Sequence, residues 1–191
     1  VHPALELRES ANGLGLFVKD RNIEEGEVVV GWTGRVVNYK DVLTLPADDQ
    51  DFFFQIDEDL FQVPFVYGQR EPADFVNHSC EPSCGLRGEA ILVAMRRLHI
   101  GDEVTYDYAM SDCVDLVGWE CNCGSHGCRG RVQGDDWKYR DELWLKYGDY
   151  FSPYLKLKRK KYLSDMNRAT HSDGEADYHS HSELKIEESE M

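Results

Sequence analysis

Apolar and polar residues alternate over short stretches through most of the first 110 positions, and that period is the period of strands. Leu5-Glu6-Leu7 opens the pattern, and Ser10-Ala11-Asn12-Gly13 is a turn signal ahead of the apolar Leu14-Gly15-Leu16-Phe17-Val18. Further strands are predicted at Val28 to Trp32, Phe52 to Ile56, Leu60 to Val63 and Ala90 to Met95, with Asp57-Glu58-Asp59 and Arg87-Gly88-Glu89 as hairpin connections. The stretches from Arg21 to Val28 and from Arg97 to Val104 share one chemistry, a Gly-acid turn feeding a β-branched strand, and read as two similar turns, not a repeat. Asp41 to Leu45 predicts a helical turn ended by Pro46. Many short strands with few helices indicate a mostly β fold, a β-rich α+β class built of small sheets.

The period changes at Asp135. From there to Tyr147 the pattern is helical, with Gly134 or Asp135 as N-cap and Gly148 just past the end. Trp137, Leu143, Trp144 and Tyr147 give it an apolar band that should pack on the preceding domain. Trp137 reads as core in that band, or alternatively as the wall of a channel. Lys156, Lys158, Arg159, Lys160 and Lys161 form a basic cluster, readable as a nuclear-import signal or as the exposed end of a helix. From residue 163 the Ser, His, Asp and Glu content predicts a disordered acidic tail. Its His171, His179 and His181 read as part of a solvated linker.

Composition narrows the picture. The 191 residues suffice for one domain and a tail, and 41% hydrophobic residues suffice for a core. No run of eighteen apolar residues is present, so no membrane span is predicted. The formal net charge of −15 argues against gripping a phosphate backbone, so no direct nucleic-acid binding is expected. It suits lysine-rich protein partners, or simply keeps the chain soluble. The opening Val1-His2-Pro3 has neither an initiator Met nor a basic-then-apolar leader, which leaves a preceding segment open.

The cysteines carry the first chemistry. Cys121, Cys123 and Cys128 stand in a C-x-C-x4-C spacing that can place three thiolates on one tetrahedral zinc, and a closed structural site needs a fourth ligand. Cys80, in Asn77-His78-Ser79-Cys80, is the natural donor, with Cys84 as the alternative. Such clustering reads as metal ligation in a reducing, intracellular compartment, nuclear or cytoplasmic, better than as disulfides.

Taken in order, Gly13-Leu14-Gly15, Asn77-His78-Ser79-Cys80, the acidic strand ending in Tyr106-Asp107-Tyr108, and the trailing cysteines resemble the SET-domain protein lysine methyltransferases with a post-SET zinc segment. The likeness runs from about Leu5 to Arg131. It implies a SET domain over 1–115, a post-SET zinc segment over 116–133, and a helical extension over 134–162 ahead of the tail over 163–191. The implied fold is one of small curled sheets with a threaded C-terminal segment. S-adenosylmethionine and zinc are the implied cofactors, and a lysine in a protein, such as a histone tail or alternatively a non-histone protein, is the implied substrate.

Residue by residue, the resemblance makes Tyr108 the catalytic tyrosine. It makes Tyr106 the position that limits how many methyls are added, here chiefly one. Gly13, Leu14, Gly15, Asn77 and His78 would hold the cofactor, and Cys80, Cys121, Cys123 and Cys128 the zinc. An aromatic near Phe52-Phe53-Phe54 can line the lysine channel in this family, although core packing is the first reading of the three. Ser83 stands where the family usually has Asn, Asp74 where Arg is common, and Val104 where Leu is frequent. These departures bear on the cofactor loop and leave the tyrosine untouched. Without a large recognition domain in view, substrate choice would come from loops between Asp41 and Gln69 and from the post-SET segment. An interaction module without catalysis is the rival reading, and it has no use for Tyr108, Asn77 and the glycines together.

The implied reaction sets a demand on the site. A free lysine has a pKa of about 10.4, so roughly one amine in a few thousand is neutral at pH 7. A narrow, poorly hydrated channel and a nearby sulfonium both favour the neutral form.

Overall fold

The computed structural model describes residues 1–114 and 118–179. Twelve short strands are found among them: β1 (Leu5–Ser10), β2 (Gly13–Val18), β3 (Val28–Gly31), β4 (Arg35–Asn38), β5 (Phe54–Asp57), β6 (Leu60–Val63), β7 (Asn77–His78), β8 (Cys84–Leu86), β9 (Ile91–Ala94), β10 (Glu103–Tyr106), β11 (Gly118–Glu120) and β12 (Arg131–Gln133). They form four small sheets, ordered β1-β2-β10-β7, β3-β9-β8, β4-β6-β5 and β11-β12.

The first sheet positions the site. β1 and β2 make a hairpin closed by the Ser10–Gly13 pair, and Gly13 turns at a φ of +100°, where a Cβ would be strained. β10 is antiparallel to β2 on one side and parallel to β7 on the other, setting Thr105 opposite Asn77 and Tyr106 opposite His78. Alternation along β2 buries Leu16 and Val18, and each fully buried side chain of this size contributes about 1.5–3 kcal/mol. The two similar turns meet as well. Ile23 and Leu98 exchange backbone hydrogen bonds of 3.0 and 2.8 Å, and both are fully buried.

The helices depart from the sequence reading in three places. α1 (Tyr39–Val42) begins two residues earlier than expected, because Asn38 and Asp41 cap it reciprocally. The single helix expected from Asp135 to Tyr147 is divided into α2 (Asp136–Tyr139) and α3 (Asp141–Tyr147). At the break Arg140 leaves helical dihedrals (φ −112°, ψ 83°) and folds its guanidinium back onto Asp136, 2.9 Å from Oδ1. The third departure is α4 (Pro153–His179), which runs far into the segment expected to be disordered. No proline interrupts it after Pro153, and its Lys, Arg, Leu and Ala are good helix formers. Residues 180–191 lie outside the described residues.

Residues 1–156 form one compact unit, and residues 157–191 belong to a second. Within the first, Trp137 is buried and its carbonyl accepts from Trp144 Nε1 at 2.8 Å, so it packs as core. Trp144 in turn stacks on Phe151 with centroids 3.7 Å apart. No helix among the described residues is long and apolar enough to cross a membrane.

Candidate active site

β2, β10 and β7 bring the glycine turn and Asn77 together. Asn77 Nδ2 donates to Leu14 O at 3.1 Å, Ser10 Oγ at 3.3 Å and Glu103 Oε1 at 2.7 Å. A Cβ added to Gly15 would collide with the Glu103 carboxylate and lie 2.9 Å from Asn77 Nδ2, so any side chain here would displace both groups from their bond to each other. The loop after Cys80 is pinned to β10 by Ser83, whose Oγ donates to Glu103 O at 3.0 Å while Thr105 N donates to Ser83 Oγ at 3.0 Å. Ser83 thus holds the loop after Cys80 through backbone groups of the strand that carries Tyr106.

Beside this cradle lies a cavity of about 520 Å³ whose wall includes Trp32, Phe54, Val76, Tyr106, Tyr108 and Trp119. Tyr106 and Tyr108 lean together at 4.8 Å between centroids, Phe54 stacks on Trp32 at 4.3 Å, and Trp119 meets Tyr108 edge-on at 5.6 Å. Of the three consecutive phenylalanines, Phe53 packs against Phe61 and Phe54 faces Trp32, so the triplet serves core and cavity together. Tyr108 Oη donates to Val76 O at 2.9 Å. Its proton is committed there, which leaves its lone pairs to accept. Burial, with Asp112 adding to it, raises both tyrosine hydroxyls well above their usual range, so neither is a phenolate at neutral pH.

The cysteines converge on the same corner. The ligand atoms of His78, Cys80, Cys121 and Cys123 lie within 4.8 Å of one another, with Cys80 Sγ and Cys121 Sγ 3.8 Å apart. Cys128 packs against this cluster and its thiol donates to Cys121 O at 3.3 Å. His78 Nε2 is 3.4 Å from Cys80 Sγ, so its ring, and not only its backbone, faces the sulfurs. Burial pushes that ring down to about 4, and it is neutral at pH 7. Burial alone would raise the Cys123 thiol, but bonds from the Cys80 N–H and from Ser125 outweigh it and bring the thiol to about 6. Cys84 stands apart in β8, fully buried and pushed up to about 12 by desolvation. The donor set, sulfur-rich and closed, fits zinc.

The polar contacts that clamp this corner carried no sequence signal. Arg129, directly after Cys128, makes a two-pronged bond to the fully buried Asp107 at 2.6 and 2.7 Å, reaches Asp136 through Nε at 3.1 Å, and also sets Nη1 3.4 Å from Cys80 Sγ. Tyr147 Oη directs its one proton at Asp107 Oδ2, 2.8 Å away, with Cys80 O 3.1 Å off as the alternative acceptor, and Lys146 Nζ donates to Cys80 O at 2.7 Å. Asp107 sits between Tyr106 and Tyr108, so this network locks the cysteine segment and α3 onto the tyrosine pair.

A family model for the SET domain matches residues 13–109, more than half of the chain, and the chain belongs to that family. Among curated relatives, it is similar to Histone-lysine N-methyltransferase 2B of Homo sapiens, 35% identical over 141 residues that make up 64% of this chain and 5% of that one. It is also similar to Histone-lysine N-methyltransferase ash1 of Drosophila melanogaster (32% identical, 59% of this chain, 6% of that one). The third is Histone-lysine N-methyltransferase, H3 lysine-4 specific, of Schizosaccharomyces pombe (30% identical, 61% and 14%). The chain therefore spans a small part of each. Among solved structures it resembles the crystal structure of KRYPTONITE in complex with mCHG DNA and SAH, with 29% identity and a TM-score of 0.51 over 66% of this chain and 28% of that one.

Proposed function

We propose that this chain transfers a methyl group from S-adenosylmethionine to the side-chain amine of a lysine in a protein, with a histone tail as substrate class and one methyl as the main product. The carrying observation is that Tyr106 and Tyr108 line one cavity with Val76, while Asn77, the next residue, pairs with Thr105 across β7 and β10 and bonds to the glycine turn. The names of the relatives support a histone substrate and, with it, a nuclear location.

The cofactor supplies an electrophilic methyl on a sulfonium. Gly13, Leu14 and Gly15 would hold it through main-chain groups, Asn77 through its amide and His78 through its backbone. The aromatic wall excludes water and disfavours the ammonium form of the lysine. Tyr108 Oη, its proton held by Val76 O, accepts from the amine and orients the nitrogen lone pair toward the methyl. Tyr106 Oη narrows the space left for an already methylated amine. The test supplies labelled S-adenosylmethionine with core histones and a lysine peptide array. Label on lysine is expected, whereas an absence of both label and cofactor binding would leave the rival reading of a non-catalytic interaction module.

Product number gives a separate prediction. Tyr106→Phe should raise the share of di- and trimethyl-lysine at least several-fold by mass spectrometry, and an unchanged product pattern would remove Tyr106 from this role.

Zinc would be held by Cys80, Cys121, Cys123 and Cys128, closing the segment over the cavity. About one zinc per chain is expected by elemental analysis, lost in Cys123→Ser and in Cys128→Ser. The nearness of His78 Nε2 supports a second ligand set, and it would hold if Cys128→Ser kept its zinc while His78→Ala lost it.

A further inference from the structure

Asp112 is a carboxylic acid built into the wall of the cavity, 8% exposed. Its backbone N–H donates to Tyr108 O at 2.8 Å, which ties it to the tyrosine pair. Ser111 Oγ donates to Asp112 Oδ1 at 2.9 Å, and the same hydroxyl lies 3.5 Å from Tyr106 Oη. Tyr106, Ser111 and Asp112 thus form a chain of exchangeable protons that starts in the cavity and ends on a carboxylate. Asp107, five residues earlier, is matched by Arg129, but no Lys, Arg or His among the described residues forms an ion pair with Asp112.

The groups around Asp112 are the hydroxyls of Tyr106, Tyr108, Tyr154 and Ser111, the Asp107 carboxylate and the Cys113 thiol. None of them is a cation. Burial, with Asp107 acting in the same direction, outweighs the Ser111 hydrogen bond and pushes the carboxyl up to about 7. Ser111 Oγ also lies 3.4 Å from Tyr108 O, but its proton is nearer the Asp112 carboxylate, which leaves a Ser111 lone pair able to accept from Tyr106 across 3.5 Å.

Methyl transfer needs the substrate ammonium to lose a proton in a place with little water, and both tyrosine hydroxyls are too weakly acidic to end as a store for it. We propose that Asp112 is the terminal acceptor of that proton, reached through the hydroxyls of Tyr106 and Ser111. An ammonium N–H bond breaks and its proton joins Tyr106 Oη. The Tyr106 proton passes to Ser111 Oγ, and the Ser111 proton to Asp112 Oδ1. Both electrons of the N–H bond stay on nitrogen as the attacking lone pair, the two hydroxyls end neutral, and the carboxylate ends as a carboxylic acid. After transfer the product departs as a methylammonium and Asp112 returns its proton to solvent. This deepens the methyltransferase reading and rests on it.

The test measures single-turnover rates from pH 6 to 9.5 on a lysine peptide that the wild type labels, and on the same peptide carrying the less basic thialysine. Wild type should level off above about pH 7. Asp112→Asn, with unchanged melting temperature and cofactor affinity, should be about 10²-fold slower at pH 7, keep rising with pH, and gain more from thialysine than wild type does. Ser111→Ala should show the same profile. Apart from turnover, the Asp112 carboxyl carbon signal should titrate between pH 6 and 8. A variant slowed with an unchanged pH profile and no thialysine gain, a variant not slowed, or a titration near pH 4 would each overturn the proposal. Failure of the wild type to label any peptide would instead remove the methylation reading, and the relay with it.

Discussion

Tyr108→Phe is expected to slow methyl transfer about 10²–10³-fold, the size found when one preorganised hydrogen-bonding group is removed from a reacting centre. The argument is geometric. Tyr108 Oη is fixed by its bond to Val76 O at 2.9 Å and by ring contacts with Tyr106, His78 and Trp119, so its lone pairs hold one direction. Phenylalanine keeps those ring contacts and loses the oxygen. Stability should fall by only about 1 kcal/mol for the lost hydrogen bond, and cofactor affinity should change little. Steady-state kinetics would show the loss in kcat with KM nearly constant. A rate within threefold of wild type would take Tyr108 out of the mechanism.

Arg129→Met should destabilise the protein by about 3–5 kcal/mol, because it strands the Asp107 carboxylate in the interior with no counter-ion. Asp107 is fully buried and Arg129 nearly so, and the paired charges hold the cysteine segment to the tyrosine loop. A fall in melting temperature of roughly 10 °C follows for a chain of this size. The double variant with Asp107→Asn should recover part of the loss, since it removes the orphaned charge. Cofactor affinity should fall together with stability in Arg129→Met, as the corner that joins His78, Cys80 and Tyr108 loosens. A melting temperature unchanged within 2 °C would mean that the pair is not what clamps the segment.

Strand positions were readable in two ways: β6 alternates between a buried and an outer face, and β9 is a short continuous apolar run bounded by turn signals, buried from Leu92 to Ala94. The turn pair of Ile23 and Leu98 was readable as two similar turns, though not as partners, because nothing local says that two turns will meet. The break at Arg140 was hidden for a related reason. The local pattern is helical throughout, and the side chain that interrupts it answers to Asp136, which Arg129 draws from another segment. α4 was legible only as far as residue 162, where polar composition reads as disorder, whereas its helix formers and lack of interior proline favour continuation to His179.

The candidate site divides in the same way. Cys121, Cys123 and Cys128 were found by their spacing, and Gly15, Asn77, Tyr106 and Tyr108 through the resemblance of their motifs, taken in order, to the SET family. Cys128 sits at the edge of the sulfur cluster while the His78 ring enters it, because β7 turns that ring toward Cys80. Trp119, Arg129 and Asp112 act only across the fold, and a lone Trp, Arg or Asp has no spacing to announce it. Tyr147 was legible as part of an apolar helical band, but not the reach of its hydroxyl to Asp107.

A crystal structure with S-adenosylhomocysteine and a lysine peptide tests the central claim most directly. The cofactor should lie along Gly13 to Gly15 against Asn77, with its sulfur directed at a lysine Nζ that enters the aromatic cavity from the other side and meets Tyr108 Oη within hydrogen-bond distance. Density placing the cofactor away from Asn77, or the lysine outside the wall formed by Tyr106 and Tyr108, would contradict it.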